Sequence, residues 1–379
     1  LELTKGQEDA LKIAVQRYND KEPYTVISGF AGTGKTTLVQ FIIDALNVSV
    51  DDVVYIAYTG KASLVLKNKG CENSMTAHRL LYHAIEKGDG TFEFISKRNL
   101  DHKYKIIVLD ECSMLPEEMW KLLLSHKVHV LALGDSGQLP PVEGNSSILD
   151  NPHIMLTEVV RQAQENPIIR LSMDIRDGKW LEYGGPKECR IMPFEKVTKG
   201  LLLGADQVLC GKNVTRHSLN EQMRKMRFGD EYSPSPINGD KVICLKNQWE
   251  ALGSNKEPLV NGCVGVINNI RLKDTQLYQP EMTADFTSDN DGFYGSIKMD
   301  YKIFTEKETT INKTNWMMYP KMLRAYEFDY AQAITVHKFQ GSEAEKVVVF
   351  DEWLGNVEYH TKWLYTAVTR ASKMLVVIK

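Results

Sequence analysis

The chain has 379 residues, of which 43% are hydrophobic and 25% charged, with a formal net charge of −3. That balance is ordinary for a soluble globular protein with room for two or three domains, and it carries no overall basic signature, so any groove for nucleic acid has to be local. No apolar run approaches the roughly 20 residues of a membrane span, and the first residues, LELTKGQEDA, lack a signal-peptide core; the expectation is a cytoplasmic, intracellular protein with no membrane partner, and the absent initiating Met suggests a trimmed chain.

In chain order, Thr4 is placed as the N-cap of a first helix, with Gln7 in its opening turn. Gln7 has two readings, a solvated helix residue or an amide that reads a base edge. Next comes Gly29-Phe-Ala-Gly-Thr-Gly-Lys-Thr36, which fits G-x-x-x-x-G-K-[ST] at every fixed position. A β-branched and aromatic run (24–28) precedes it and helical spacing (37–46) follows it, the strand, loop and helix order that the motif needs. Gly29, Gly32 and Gly34 let backbone amides turn inward around phosphate oxygens, with the positive end of the helix behind them. Thr33 and Thr37 lie in the same cradle. Lys35 would reach the β and γ phosphates and Thr36 would hold Mg²⁺, so ATP and Mg²⁺ are the expected cofactors.

A second strand at 53–57 leads into Tyr58-Thr-Gly-Lys-Ala62, and Met75 to Leu80 starts a short helix. From about 84 to 104 the chain becomes charged, turns at Gly88-Asp89-Gly90 and alternates Phe92 with Phe94, which reads as an inserted hairpin. Whether Phe92 and Phe94 are surface aromatics or nucleic-acid contacts stays open. The apolar run Ile106-Ile-Val-Leu ends in Asp110-Glu111, as suits a parallel strand whose carboxyl end faces a ligand. Asp110 would hold the metal and Glu111 would take a proton from the attacking water. A strand at 128–134 runs into Asp135-Ser-Gly-Gln138-Leu-Pro-Pro141, where Gln138 could sense the γ phosphate. Arg161 is either a surface ion-pair residue or a phosphate clamp.

A helix over 167–180 closes this part, and the α/β pattern restarts near 181. From about 238 to 324 the chain is rich in Lys, Asp and Asn, with short strands at 241–245, 263–270 and 297–303, consistent with a mostly β insertion. The α/β pattern returns at 330–334, 347–350 and 374–378, without a second phosphate loop. Thr335-Val-His-Lys-Phe-Gln-Gly-Ser-Glu343 is a polar strand-to-helix joint, and 363–370 a helix ending in Arg370. A guanidinium suits the transition-state charge of phosphoryl transfer, but a cation on a helix C-terminus is an equally good account of Arg370.

Taken in order these segments resemble superfamily 1 helicases of the RecD-like and Dda-like group, over nearly the whole chain. Gln7 is similar to the adenine-reading motif, 29–36 to Walker A, Tyr58–Ala62 and Thr76–Arg79 to the single-strand contact motifs and Asp110-Glu111 to Walker B. Gly134-Asp135 with Gln138-Leu-Pro-Pro141, Arg161-Gln162, Thr335–Glu343 and Tyr365–Arg370 resemble the third to sixth motifs. The resemblance implies an α/β fold of two RecA-like motor domains with parallel sheets, 1–180 and 181–237 with 325–379, plus a β, SH3-like insertion at 238–324 and a strand-separating pin near 84–104. It implies Lys35, Asp110, Glu111, Gln138, Arg161 and Arg370 as catalytic, and Glu343 beside the phosphate-loop residues at the nucleotide. Thr59, Lys61, His78, Phe92, Phe94, Thr335, His337 and Lys338 would meet single-stranded DNA at a duplex fork. The implied activity is ATP-driven 5′ to 3′ movement with duplex separation, by a chain for which a monomer is plausible. The alternative is a single-strand-binding subunit regulated by ATP without strong unwinding. A kinase or GTPase fits less well, for no guanine-reading N-K-x-D occurs.

Overall fold

The computed structural model describes residues 3–86, 92–140, 146–179, 181–255, 258–274, 280–289, 292–306 and 325–379. The chain folds into two compact units, the first from residues 1–83, 94–196 and 340–379, the second from 84–93 and 197–339.

The first unit is built on a six-stranded parallel sheet. Helix α1 (Lys5–Asn19) leads to β1 (Tyr24–Gly29), α2 (Lys35–Ala45), β2 (Val53–Ala57), α3 (Gly60–Asn68), β3 (Ser74–Thr76) and α4 (Ala77–Leu81). A hairpin follows, β4 (Tyr82–Glu86) and β5 (Phe92–Ser96), of which residues 84–93 count with the second unit, then β6 (Ile106–Leu109), α5 (Glu117–Ser125), β7 (His129–Gly134), β8 (Ile154–Leu156), α6 (Arg161–Gln164), α7 (Pro167–Arg176) and β9 (Cys189–Met192). The sheet order is β3-β2-β6-β7-β1-β8. Its strands alternate between two apolar layers. Ile27, Val53, Ile106, Val108, Leu131 and Leu133 pack with α1 and α2 residues such as Ala14, Leu38 and Ile42. Val26, Val54, Ile56, Ile107, Leu109 and Val130 pack on the other face with Leu80, Leu81, Met119, Trp120 and Leu123. Burial on both faces is why these strands read as continuous apolar runs. It also leaves the carboxyl ends of β1, β7 and β6, neighbours in register (Ser28 beside Gly134, Leu109 beside Ala132), as the edge where polar loops gather.

The second unit contains α8 (Lys199–Leu203), β10 (Gln207–Cys210) and α9 (Asn213–Phe228). Its β-rich part follows, with β11 (Lys241–Cys244), β12 (Gln248–Leu252), β13 (Pro258–Leu259), β14 (Val264–Lys273), β15 (Glu281–Ser288), β16 (Phe293–Met299) and α10 (Tyr301–Thr305). After them come β17 (Phe328–Tyr330), β18 (Ala333–Thr335) and α11 (Val336–Phe339). Strands β16-β15-β14-β11-β17 make an antiparallel sheet over a core of Val242, Phe286, Met299 and Phe328. Arg224 of α9 forks onto Asp240 at 2.7 and 2.9 Å and lies 3.9 Å from the Tyr330 ring, so the start of the β-rich part is tied to the α/β part by a buried, fully bonded ion pair.

Back in the first unit, β19 (Ala344–Phe350), α12 (Val357–Val368) and β20 (Ala371–Ile378) end the chain, with β19 parallel to β20 and β20 parallel to β9. Several expected limits move. The hairpin strands lie at 82–96 rather than 84–104, because Lys97 leaves the strand to donate to Arg79 O and Asp101 Oδ2. The strand expected at 297–303 runs from 293 to 299 and gives way to α10, which Asp300 caps through Lys302 N–H. Strand β15 had no counterpart in the reading of the sequence. The 167–180 helix ends at Arg176, and α12 at Val368, short of Arg370.

Candidate active site

The loop after β1 carries Lys35 at the first position of α2. Gly32 and Gly34 adopt φ of 77° and 75°, the left-handed region in which a side chain is strained, and a Cβ on Gly34 would stand 2.5 Å from Gln7 Nε2. Lys35 Nζ donates to Gly29 O (2.6 Å) and Phe30 O (3.2 Å). Thr33 is buried and its hydroxyl donates to Phe30 O, while Thr36 and Thr37 are exposed on the first turn of α2. Gln7 is neither of its simple alternatives alone. It is 4% exposed, its Oε1 accepts from Thr4 N–H to complete a capping box, and its Nε2 donates to Thr33 O (3.0 Å), which seats α1 on the phosphate loop.

Asp110 and Glu111 follow β6. Asp110 Oδ1 accepts from Glu111 N–H, and burial, reinforced by the neighbouring Glu111 charge, pushes its carboxyl up to about 6. A carboxylate this costly to ionise is suited to a cation partner. Among the described residues no group of three or more His, Cys, Asp or Glu forms a ready metal cage. The Thr36 hydroxyl and the Asp110 carboxylate are hard oxygen donors of the kind that Mg²⁺ takes. Glu111 has φ of 50°, rare for a residue with a Cβ, and its backbone carbonyl is held by Met114 N–H. That turn carries its side chain to Arg370, with Nη1 to Oε1 at 3.7 Å. With its amide turned so that the nitrogen faces the acid and the oxygen the guanidinium, the orientation that satisfies both neighbours, Gln138 bridges the two, Nε2 donating to Glu111 Oε2 (3.2 Å) and Oε1 accepting from Arg370 Nη2 (3.1 Å).

Arg370 is 4% exposed, with Nε donating to Thr366 O and Nη1 to Ser342 O. One nitrogen of this arginine thus bonds a helix-end carbonyl, as the helix-cation account expects, while another faces the Glu111 carboxylate. The Arg161 side chain lies outside the described residues. Its backbone opens α6 beside the loop, where the preceding Val160 N–H donates to Gly32 O (2.9 Å). Glu343 is held in an exposed ion pair with Lys69 at 3.1 Å.

Of the expected strand contacts, Thr59 caps α3 through Ala62 N–H and Lys61 is half-buried on its first turn. His78 stands in a ring cluster, with centroids 5.7 Å from Tyr58, 5.8 Å from Tyr82 and 6.1 Å from Phe94, and burial lowers its pKa. Phe94 is 44% exposed; the Phe92 side chain lies outside the described residues. In the second unit Thr335 is buried at the end of β18, His337 half-buried and Lys338 exposed on α11.

A family model of the AAA domain matches residues 2–183, and one of the UvrD-like helicase C-terminal domain matches 330–378. The ATP-dependent DNA helicase dda of Enterobacteria phage T4 is 32% identical over 193 residues, 47% of this chain and 44% of that protein. The ATP-dependent RecD2 DNA helicase of Deinococcus radiodurans is 32% identical over 166 residues, 42% of this chain and 22% of its own length. The chain is thus similar, in its first half and at its end, to ATP-dependent DNA helicases of the dda and RecD2 kind. Its match spans less than half the length of those two helicases. Among solved structures, Pif1 helicase from Bacteroides in complex with ADP-AlF3 and ssDNA aligns with TM-score 0.56 at 16% identity, covering 100% of this chain and 92% of that one. Pif1 from Candida albicans aligns with TM-score 0.52 at 18% identity, over 100% and 94%. These likenesses establish the α/β helicase fold.

Three groups at the site escaped the reading of the sequence. Tyr365 Oη lies between Ala31 N–H and Asp135, Thr366 Oγ1 accepts from Leu139 N–H (2.9 Å), and Gln340 Nε2 donates to Leu139 O (3.3 Å). Tyr365 and Thr366 were in view only as neighbours of Arg370, and partners more than 200 residues away leave no periodicity to detect.

Proposed function

We propose that this chain is the motor of an ATP-dependent DNA helicase that moves 5′ to 3′ on single-stranded DNA and separates duplex ahead of it. The observation that carries the reading is the Glu111, Gln138 and Arg370 network at the edge of the sheet whose β1 loop holds Lys35. Lys35 and the amides of 32–37 would hold the triphosphate, and Thr36 with Asp110 the Mg²⁺, which when bound supplies charge neutralisation between the β and γ phosphates. Glu111 would accept the proton of the attacking water. Arg370, with Arg161 from α6, would stabilise the charge on the transferred phosphoryl group while Gln138 keeps acid and guanidinium aligned. Glu343 would join them on the nucleotide side after leaving Lys69.

On the DNA side, Thr59, Lys61 and His78, and in their turn Thr335, His337 and Lys338, would grip backbone phosphates, with little sequence preference because phosphate and stacked rings are common to all sequences. Support for a DNA track comes from relatives that are DNA helicases and from a Pif1 structure bound to ssDNA. The motor-domain limits of 1–180 and of 181–237 with 325–379, with an SH3-like insertion between, are part of the same reading. The test is ATP turnover with and without a single-stranded oligonucleotide. Lys35→Ala and Glu111→Gln should each abolish the DNA-stimulated rate, and near-normal turnover in both would sink the assignment. Partial duplexes with a 5′ or a 3′ tail then read direction.

A further inference from the structure

We propose that the Tyr365 hydroxyl is a positioning group that ties the phosphate loop to the turn carrying Gln138, so that the state of Lys35 is passed to the Glu111 and Arg370 pair. This deepens the ATPase reading above and rests on it.

One peptide plane in the phosphate loop is held from both sides. The carbonyl of Phe30 accepts from Lys35 Nζ (3.2 Å) and from Thr33 Oγ1 (2.8 Å). The amide on the other side of the same rigid plane, Ala31 N–H, donates to Tyr365 Oη at 2.8 Å. Tyr365 donates in turn to Asp135 Oδ2 at 2.7 Å, both residues being 1% exposed. Asp135 shapes the following turn, since its Oδ1 accepts from Gly137 N–H (2.9 Å) and its carbonyl from Gln138 N–H (3.1 Å). Packing fixes the same geometry, for a Cβ on Gly137 would stand 3.1 Å from Tyr365 Cε1.

Gln138 is the residue that bridges Glu111 and Arg370. Tyr365 also lies one helical turn before that arginine, and its carbonyl accepts from Thr369 N–H (3.1 Å). On its other side the Phe30 ring is covered by the Arg176 guanidinium, 4.1 Å from the ring centre, which limits how the plane can yield. When Lys35 leaves the Phe30 carbonyl for a phosphate, that carbonyl keeps only its bonds from Thr33, which belongs to the same loop. The bond that ties the plane to a residue outside the loop is the one to the Tyr365 hydroxyl, and through Asp135 it reaches the groups proposed to act on the water and the γ phosphate. Uncoupled from it, the loop would still bind nucleotide but would no longer set Gln138.

Tyr365→Phe deletes the hydroxyl and keeps the ring. With saturating oligonucleotide, kcat for ATP should fall by about tenfold, the scale of one lost positioning bond, while affinity for a fluorescent ATP analogue stays within about threefold of the parent. Asp135→Ala removes the acceptor at the other end of the same link and should give the same split, so the test survives if one variant fails to fold. If the two act through one link, the double variant should be no slower than the slower single one. The proposal is overturned by a Tyr365→Phe kcat within about twofold of the parent, by equal losses in kcat and affinity, or by losses that multiply in the double variant. A parent chain without DNA-stimulated turnover would instead remove the ATPase reading, and the coupling with it.

Discussion

Arg370 serves structure and site at once, donating to two backbone carbonyls with Nε and Nη1 while the same fork faces Glu111. A planar guanidinium with five donors can divide its work in this way and an ammonium cannot. Arg370→Ala should therefore lower ATP turnover by ~10³ or more while nucleotide affinity, which rests on the loop around Lys35, changes little. Arg370→Lys should restore little of the loss. Equilibrium binding of a fluorescent nucleotide beside steady-state turnover checks both, and parallel loss of binding and turnover in Arg370→Ala would count against the finger role. Glu111 was legible as an acid at a strand end, but its positive φ was not. That conformation costs of the order of 1–3 kcal/mol and persists where surrounding bonds enforce it, here the 3₁₀ turn at 112–114 behind it.

At the level of elements, the hairpin of β4 and β5 is what most distinguishes this chain's surface from its sheet core. The alternation of Phe92 and Phe94 announced a hairpin without choosing between the rings. Phe94 is set edge-on against His78 (65° between planes) and Tyr82 (83°), itself partly open to solvent, while the Phe92 side chain lies outside the described residues. An aromatic held from behind by two rings is a stiff wedge. Phe94→Ala should accordingly slow unwinding of a forked duplex severalfold more than it slows translocation on single-stranded DNA. Equal losses in strand-displacement and translocation assays would remove the pin role. The limits that differ are marked by local side-chain bonds rather than by periodicity: Asp300 caps α10 through Lys302 N–H, and Arg370 Nε bonds the Thr366 carbonyl in the last turn of α12.

For the molecule as a whole, the amino ends of β1 and β7 bear on acid stability. His129 is buried there, with Nδ1 donating to Glu22 O (2.8 Å) and Nε2 accepting from Thr25 Oγ1 (3.3 Å), and burial holds its pKa below 6.5. A histidine kept neutral in the fold but free to protonate when unfolded contributes stability that is complete above pH 6.5 and is lost as pH falls toward the folded value. Asp110 acts in the opposite sense, since its raised pKa favours the fold as pH drops through about 6. Comparison with a variant isolates the histidine. The fall in melting temperature between pH 7.5 and 5.5 should be smaller in His129→Gln than in the parent, and an unchanged or steeper fall would refute the assignment.

Sequence by itself determined the chemistry-bearing groups that are local: the phosphate loop, whose glycines are dictated by backbone conformation, and the acids that end buried strands, whose apolar runs reveal them. It also revealed the hairpin and the β-rich part, because turn residues and period-two alternation are short-range signals. Tertiary structure alone decided what those groups touch. That Gln7 seats a helix on the loop, that Glu343 pairs with Lys69, and that Tyr365 joins Ala31 to Asp135 all depend on contacts between residues far apart in the chain, and such contacts are chosen by packing and hydrogen-bond satisfaction over the whole fold.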